Sequence, residues 1–480
     1  MKSLGGISLL RCAATAALLL LSSPSARQGL ADEPDIFAVK NARIVTVSSA
    51  PIEKGTVVVR NGIIEALGSD IAIPSDAWVI DGKNLVVYPG LIDATSDIGL
   101  PQQSAPAPPG TGRGAALAAS ASRPSEPVSN MNPYVRASDI LTAGGKKAED
   151  ARLAGITTVL TVPDRGIFCG QSALINLNGD KGAMVVRTPV AMHVRLSLGG
   201  FREYPGSLMG VLAYVRQALL DARQYQEAWE IYNHNLRSLR RPENSRAMEA
   251  LLPVVQKKMP LVIPANSAPE IMRAIKLGEQ NDIRYIISGA SEGWKLASLL
   301  REKQIPVLVS LKFPEREKDV HPESEESLRE MQRRADAPRN AAALQRAEVQ
   351  FAFFSDGMTN FRDFIRNAGR AVRAGLPPDA ALRAMTLSAA EILGAQEQLG
   401  SIEKGKIANL VVTDGDLFGE RTKIRYVFVD GKKFEVPTEE RKPTEPAQMN
   451  PTRQEARTQE TDGRRQEAGG RKQGADGRGR

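Results

Sequence analysis

Carboxylate side chains follow two apolar segments whose composition is that of buried strands. Asp93 and Asp97 lie in the stretch VVYPGLIDATSDIGL (86–100), and Asp356 lies in FAFFSDG (351–357). Ionised carboxylates can act as general bases, and their oxygens are ligands for Mg²⁺ or Ca²⁺. Asp97 and Asp356 are therefore the first candidates for chemistry, although two carboxylates hold a cation only loosely.

Imidazole and thiol groups are scarce in this chain. In the pattern AMHVRL we expect His193 to be a core histidine with satisfied hydrogen bonds, or one that faces a pocket. His234 is expected at the exposed end of a helix, and His321 in a solvated, charged stretch. Cys12 lies near the N-terminus, in a segment predicted to be cleaved. Cys169 then has no disulfide partner and is expected to be a small buried residue.

Residues 1–31 are predicted to be a secretory signal peptide. Lys2 and Arg11 precede the apolar run 13–21, which is too short to span a bilayer, and Gly29-Leu30-Ala31 suits a peptidase that prefers small residues. An uncleaved anchor is the alternative. We therefore expect an exported protein, periplasmic or extracellular, with no membrane span after cleavage.

The net charge of +8 lies mainly at the two ends of the chain. Cations in the predicted leader and a small basic excess in the tail account for most of it, so the body between them is only weakly positive. No basic helix with interleaved aromatic residues occurs. These features argue against a nucleic-acid partner, and a small molecule of unknown identity is the expected ligand.

Two groups of short strands lie near opposite ends of the chain. Alternating apolar runs from Ile36 to Asp81 flank an Asn61-Gly62 turn, and later runs over 408–413 and 424–432 contain an Asp430-Gly431 turn. Asn-Gly and Asp-Gly are typical of two-residue hairpin turns. We expect a small β-sandwich domain built from both chain ends.

Strands and helices alternate between these two groups. Helices are predicted over 208–232 and 269–279. The predicted strands cover residues 89–94, 156–162, 191–198, 261–264, 284–288, 305–311 and 350–355. Such alternation predicts an α/β fold with a parallel barrel or sheet, and one strand of a (β/α)8 barrel stays unassigned.

The predicted organisation has five parts. A signal peptide (1–31) precedes the first part of the β-sandwich domain (32–90), the barrel (91–390), the second part of the sandwich (391–436) and a charged tail (437–480). Residues 101–133, rich in Pro, Ala, Ser and Gly, are predicted to be a flexible insertion in the barrel. The tail has almost no apolar residues and is expected to be disordered.

Four motifs resemble the amidohydrolase superfamily, in particular its imidazolonepropionase-like and prolidase-like members. PGLIDA (89–94) and AGITTV (154–159) resemble the family's first two barrel strands. ALRAMTLSAA (381–390) is similar to the helix after the barrel, and LGSIEKGKIANLVV (399–412) to the segment that re-enters the β domain. The resemblance covers most of residues 36–435 and implies a TIM-like (β/α)8 barrel.

The resemblance also implies where a metal site would lie. Active family members bind one or two divalent metals, such as zinc, through histidines at the carboxyl ends of barrel strands. The family's ligand positions hold Thr95, Asp97, Pro264 and Ser288 in this chain, and only the final aspartate, Asp356, is retained. We therefore expect no metal cofactor.

Three further residues could contribute to a pocket at these positions. His193 could face the barrel mouth, and Asn266 and Glu292 could supply weak oxygen donors. Like the serine at 288, these oxygens are poor substitutes for imidazole as ligands for zinc.

Function stays open between three interpretations. The first is a metal-free member of the fold that binds a small molecule or a partner protein through the old pocket. The second is a residual hydrolase of carbon–nitrogen bonds in a cyclic amide or peptide-like substrate, with Asp356 as candidate base and Asp97 as a candidate water-orienting or metal-binding carboxylate. The third is a scaffold, and the resemblance suggests a homodimer.

Overall fold

A computed structural model describes residues 36–101, 130–180, 182–196, 205–236, 239–316 and 326–437. The predicted signal peptide, most of the predicted insertion, His321 and the tail beyond Pro437 lie outside these residues. Residues 36–436 belong to one compact unit of the chain.

The strands of the described residues follow the predicted alternation, with bounds that differ by a few residues. They are β1 (Ile36–Ile44), β2 (Ile52–Arg60), β3 (Ile63–Gly68), β4 (Trp78–Asp81), β5 (Val86–Pro89), β6 (Leu91–Ser96), β7 (Ile156–Thr161), β8 (Phe168–Gln171), β9 (Ala173–Asn176), β10 (Val185–Arg187), β11 (Met192–Val194), β12 (Leu261–Ala265), β13 (Tyr285–Gly289), β14 (Val307–Ser310), β15 (Phe351–Phe354), β16 (Leu410–Thr413), β17 (Ile424–Val429) and β18 (Lys432–Glu435).

The α-helices of the described residues lie mostly between the strands of the body. They are α1 (Ala137–Ile140), α2 (Lys146–Leu153), α3 (Leu208–His234), α4 (Arg246–Val255), α5 (Ala268–Gln280), α6 (Ala297–Glu302), α7 (Leu328–Asp336), α8 (Asn340–Arg346), α9 (Arg362–Arg373), α10 (Pro378–Ala384) and α11 (Leu387–Ile392). Among them, none combines the length and apolarity that a bilayer-crossing helix needs.

Both ends of the chain contribute to one eight-stranded sheet. Its order is β18-β17-β16-β5-β1-β2-β3, with β4 paired to β1. The C-terminal strand β16 lies antiparallel to β5, with Leu410 opposite Pro89. The expectation that strands from both chain ends associate is therefore met by a single sheet, while the β-sandwich stays a prediction.

The two predicted hairpin turns are present and touch each other. Asn61 and Gly62 connect β2 to β3 with φ of 50° and 81°, and Asp430 and Gly431 connect β17 to β18 with φ of 50° and 75°. Positive φ at both central residues is the geometry that Asn-Gly and Asp-Gly favour. A Cβ atom on Gly431 would lie only 2.7 Å from the Cα of Gly62.

In the described part of the body, seven strands pair in parallel and lie in two sheets. β6 pairs in parallel with β7, and β11, β12, β13, β14 and β15 form a continuous parallel series. The predicted strand 191–198 is shorter in the structure, because β11 covers only Met192–Val194. The fold is thus of the mixed α/β class.

An antiparallel segment lies between the two parallel series. β8 pairs antiparallel with β11, and β9 pairs antiparallel with β7, so residues 168–176 run from one sheet into the other. The sequence prediction missed this segment, because Gly170 and the polar pair Gln171-Ser172 interrupt its apolar pattern. Glycine is required at 170, where a Cβ would lie 2.4 Å from the Val135 carbonyl oxygen.

Alternate side chains of the body strands form two separate cores. One face of the strands packs against the surrounding helices. The opposite face forms a smaller cluster that also contains Ala389 and Ala390 of α11. Its strand residues are Ile92, Ala94, Leu160, Leu174, Val262, Ile286, Leu308, Ala352 and Phe354. Both faces of these strands are therefore buried, as expected for parallel strands covered by helices.

Candidate functional site

The carboxyl ends of β12, β13, β14 and β15 open into a cavity of about 1030 Å³. Asn266 follows β12, Glu292 lies shortly after β13, Ser310 ends β14, and Asp356 follows β15. All four residues line the cavity, and α7 contributes to its wall. We call this space the mouth cavity; it is the place where open α/β sheets commonly bind ligands.

Asp356 is the predicted site residue that the structure places in this cavity most clearly. Its Oδ2 accepts a hydrogen bond of 2.9 Å from the hydroxyl of Ser310. The residue has a φ of 53°, in the left-handed region that aspartate tolerates better than most residues. The carboxylate is exposed to the cavity and has a neighbouring hydroxyl donor.

Asp93 fixes the backbone immediately before Asp356. Its Oδ1 accepts from the Ser355 backbone N–H at 2.9 Å, and its Oδ2 accepts from the Ser355 hydroxyl at 2.6 Å. These two bonds join β6 to the end of β15. Complete burial raises the pKa of Asp93 to about 6, and the hydrogen bonds from Ser355 limit that rise. Asp93 therefore holds both the backbone and the side chain of Ser355.

Charged side chains of both signs surround the mouth cavity. Glu292 accepts from the Ala268 backbone N–H at 2.9 Å and pairs with Lys295 at 2.9 Å. The backbone bond from Ala268, followed by the bond from Lys295, lowers the pKa of Glu292. Among the described residues, three lining cations have no ion-pair partner: Lys312, Arg329 and Arg333.

Thr95 and Asp97 do not line the mouth cavity. The Thr95 hydroxyl donates to the Ala94 carbonyl at 2.6 Å. Asp97 is exposed and forms an ion pair with Lys147 of α2. The structure therefore does not join Asp97 to Asp356 through the cavity, contrary to the expectation that both carboxylates face one pocket.

Pro264 and Ser288 lie directly beside each other in neighbouring strands. They are register partners in the parallel pairing of β12 with β13, and both are partly buried. Val262 and Ile286, two residues earlier, belong to the smaller cluster on the strand face opposite the surrounding helices. The period-two alternation directs Pro264 and Ser288 to that same face. Neither residue is among those that line the mouth cavity.

His193 is a buried histidine held by a serine. Its Nε2 lies 2.9 Å from the Ser172 hydroxyl, in the segment that joins β8 to β9. Burial lowers the pKa of His193 to about 3, so the ring is neutral near neutral pH. The expectation of a core histidine is confirmed, and His193 does not line the mouth cavity.

The remaining imidazole and thiol groups have structural surroundings. His234 is the exposed last residue of α3, and its Nδ1 lies 2.6 Å from the Glu230 carbonyl oxygen. Cys169 is buried in β8, where desolvation raises its pKa to about 11. A thiol with a raised pKa is a poor nucleophile, in agreement with the sequence interpretation.

The donor set at the positions that the resemblance assigns to metal ligands does not fit a catalytic metal. Proline has no side-chain donor atom, serine and threonine are weak donors, and Asp97 is paired with Lys147. Among the described residues, no group of three or more His, Cys, Asp or Glu side chains is arranged to hold a metal ion. Asp356 and Ser310 alone supply too few ligands for zinc.

The structure adds cavity residues that the sequence interpretation had not named. Ser310, Lys312 and Trp294 line the mouth cavity beside Asp356 and Glu292. Ser310 lies near the end of the predicted strand over 305–311, and polar residues at strand ends commonly line a barrel mouth. Its position in the sequence could therefore have indicated a lining residue. Arg329 and Arg333 come from α7, whose charged sequence gave no indication of a cavity.

Comparisons with known proteins agree with this architecture. The amidohydrolase family model matches residues 298–436. An amidohydrolase from Thermotoga maritima MSB8 has a similar structure, with a TM-score of 0.68 and 26% identity over 83% of this chain and 100% of its own.

More distant structures share the fold alone. A putative prolidase from Bifidobacterium longum has a TM-score of 0.50 at 17% identity, over 88% of this chain and 100% of its own. A prolidase complexed with N-methylphosphonate-L-proline has a TM-score of 0.50 at 19% identity, over 83% and 99% of the two chains.

A dihydroorotase from Geobacter sulfurreducens shares a short segment with this chain. The two are 40% identical over 55 residues, which cover 12% of this chain and 13% of the dihydroorotase. The match therefore spans a small part of that enzyme's length. The family match and the Thermotoga maritima structure confirm the resemblance to the amidohydrolase superfamily that the four sequence motifs predicted.

Proposed function

We propose that this chain is a degenerate member of the amidohydrolase superfamily that binds a small molecule in the mouth cavity without a catalytic metal. The observation that carries the proposal is the pairing of Pro264 with Ser288 at two adjacent strand ends. Both stand where the resemblance implies metal-binding histidines. A proline beside a serine cannot supply the imidazole nitrogens that zinc requires.

The proposal includes a closed barrel. The seven parallel strands and the antiparallel segment 168–176 together would fill the eight strand positions of the barrel. The Asp93–Ser355 hydrogen bonds join β6 to β15, where the barrel would close. The single inner cluster shared by both sheets supports this arrangement. In such a barrel the mouth cavity lies at the carboxyl face, where TIM-barrel proteins bind their ligands.

Elemental analysis of the purified, dialysed protein tests the absence of a catalytic metal. We expect less than about 0.1 equivalents of zinc, iron or manganese, and calorimetric titration with zinc should show no tight stoichiometric site. Asp356→Asn and Asp97→Asn should leave these results unchanged. Near-stoichiometric metal in the wild-type protein that is lost in Asp356→Asn would overturn the proposal.

A residual hydrolase is the second candidate, supported by the position of Asp356 in the cavity next to Ser310. Its carboxylate would accept a proton from water while the hydroxide attacks an amide carbon. The C–N bond then breaks, and the nitrogen leaves with the proton. Asp97, paired with Lys147, is given no role in this step. Cyclic amides such as dihydroorotate, and dipeptides that end in proline, are the substrates to test, as the relatives' names suggest.

A matched pair of variants decides whether such activity belongs to this site. Asp356→Asn should abolish any turnover of these amides, because an amide oxygen is a far weaker base than a carboxylate. Asp363→Asn is the control, since Asp363 also lines the cavity but pairs with Arg366. Turnover that survives Asp356→Asn would reject this candidate, and turnover that needs Asp356 without metal would establish it.

A further inference from the structure

A second cavity of about 610 Å³ lies at the two touching hairpin turns. Its lining includes the Asn61-Gly62 turn, the Asp430-Gly431 turn, Asn178 and Asp180 after β9, and Trp78 of β4. None of its lining residues belongs to the mouth cavity. We call this space the turn cleft; its size is within the usual range for small-molecule sites.

An exposed indole forms one side of the turn cleft. Trp78 is 58% exposed, although the neighbouring strand residue Ile80 is buried. Large aromatic side chains are among the groups whose exposure most often marks a binding site, because they bury much area with little loss of conformational entropy. The indole therefore offers a flat, exposed apolar surface in the lining of the cleft.

A hydrogen-bonded polar network around Asp430 also contributes to the lining of the cleft. The Asp430 carboxylate accepts from the amide groups of Asn176 at 2.5 Å and Asn178 at 2.6 Å. Its backbone N–H donates to Asn409 Oδ1 at 2.8 Å, and Asn409 in turn donates to Thr158 at 3.0 Å. The carboxylate is thereby fixed in place, and each of its oxygens keeps a lone pair for a further donor.

The charged lining residues of the cleft are of mixed sign. Among its described lining residues, Asp180 and Asp430 balance Lys432 and Lys433. Lys433 pairs with Glu435 at 2.9 Å, and its ammonium lies 5.8 Å from the centre of the Trp78 ring. A neutral ligand with many hydroxyl groups can donate to the carboxylates and accept from the ammonium groups.

We propose that the turn cleft binds a neutral pyranose, with a sugar face against Trp78 and hydroxyl groups bonded to Asp430 and Lys432. The apolar C–H face of a pyranose matches an aromatic surface, and its edge carries the hydroxyls that balanced acidic and basic side chains can bind. This site is independent of the proposed function of the mouth cavity. The same unit could come from a free oligosaccharide or from the surface of a polysaccharide.

Titration of the full-length protein with maltotriose, cellotriose and chitotriose tests the proposal. At least one should bind saturably by calorimetry and change the tryptophan fluorescence. Trp78→Ala should weaken that binding by about tenfold or more, and Trp78→Phe by less, because phenylalanine keeps an aromatic face. Trp229→Phe, in α3 and outside the lining of both cavities, is the matched control and should leave the affinity unchanged.

Sedimentation with insoluble cellulose and chitin separates the two sources of the sugar. Binding to the polymers but not to the trisaccharides would assign the cleft to a polysaccharide surface, and the reverse would assign it to free oligosaccharides. In either case Trp78→Ala must lose the binding, while its circular dichroism spectrum matches that of the wild type. Failure of all five probes to bind, or binding unchanged in Trp78→Ala, would overturn the proposal.

Discussion

Asp93 shows how one buried carboxylate supports the candidate site from behind. It is fully buried, yet three donors satisfy it: the backbone N–H groups of Thr95 and Ser355 and the Ser355 hydroxyl. Buried polar groups that keep their hydrogen bonds cost little, whereas an unmatched charge costs much. The carboxylate thus holds the chain that presents Asp356, without itself reaching the mouth cavity.

Asp93→Asn should remove part of the pH dependence of stability. An aspartate in an unfolded chain has a pKa of about 3.9, and burial raises that of Asp93 to about 6 in the folded protein. The folded state therefore binds this proton more tightly, and the contribution to stability is lost as the pH rises through that value. Between about pH 4 and 7 the free energy of unfolding should fall by about 1–3 kcal/mol more in the wild type than in the variant.

Urea unfolding at a series of pH values measures this difference. Asparagine keeps an acceptor for the backbone N–H groups, and its amide can donate to the Ser355 hydroxyl, so the variant should fold. Asp164→Asn, at an exposed position in the loop after β7, is the control and should retain the wild-type pH dependence. An identical pH dependence in Asp93→Asn would contradict the assignment.

Asp356 and Asp97 show what could and what could not be predicted from the sequence at the scale of single residues. The family resemblance correctly placed Asp356 at a strand end that opens into a cavity. It could not reveal that Asp97 pairs with Lys147, because that lysine is 50 residues away and only the packing of α2 brings it near. Spacing along the chain locates side chains on elements, whereas their partners depend on how elements pack.

Among the elements, the hairpins were predictable and the antiparallel segment 168–176 was not. The Asn-Gly and Asp-Gly turns have local causes, since both require positive φ. The segment 168–176 depends on distant contacts: Gln171 bonds to Pro133 and Val135 through its side chain and backbone. A glycine in the middle of a short apolar run indicates a turn when only the local sequence is considered. The sequence therefore did not indicate that this segment forms strands.

Gly431→Ala should destabilise the fold more than a matched glycine substitution. The new Cβ would lie 2.7 Å from the Gly62 Cα, and φ at 431 is 75°. Gly405→Ala is the control, because Gly405 has a φ of 87° but nothing within 4 Å of its Cβ position. We expect a loss of about 1 kcal/mol for the control and about 2–4 kcal/mol for Gly431→Ala.

Urea unfolding of the two variants provides the comparison. The loss of stability that both variants share measures the cost of the left-handed conformation. The additional loss in Gly431→Ala measures the contact between the two turns. Equal losses in both variants would show that the turns do not press against each other in solution.

At the scale of the whole molecule, the predicted leader gives a direct test of export. Expression in a bacterial host with a secretory pathway should yield a periplasmic protein that begins at Asp32, after Gly29-Leu30-Ala31. Ala31→Phe should block cleavage, because the peptidase requires a small residue there, whereas Ala14→Phe in the apolar run should not. Intact-mass analysis distinguishes the products, and an uncut chain in the membrane fraction would favour the anchor.

The sheet shared by both chain ends sets an order of events during synthesis. Strand β5 acquires its neighbour β16 only when the C-terminal region has been made, since 327 residues separate Val86 from Thr413. Until then the early strands present an apolar, unpaired edge, of the kind that invites association between chains. A chain released before Thr413 therefore keeps that edge permanently, and premature termination should yield aggregates rather than a shortened soluble protein.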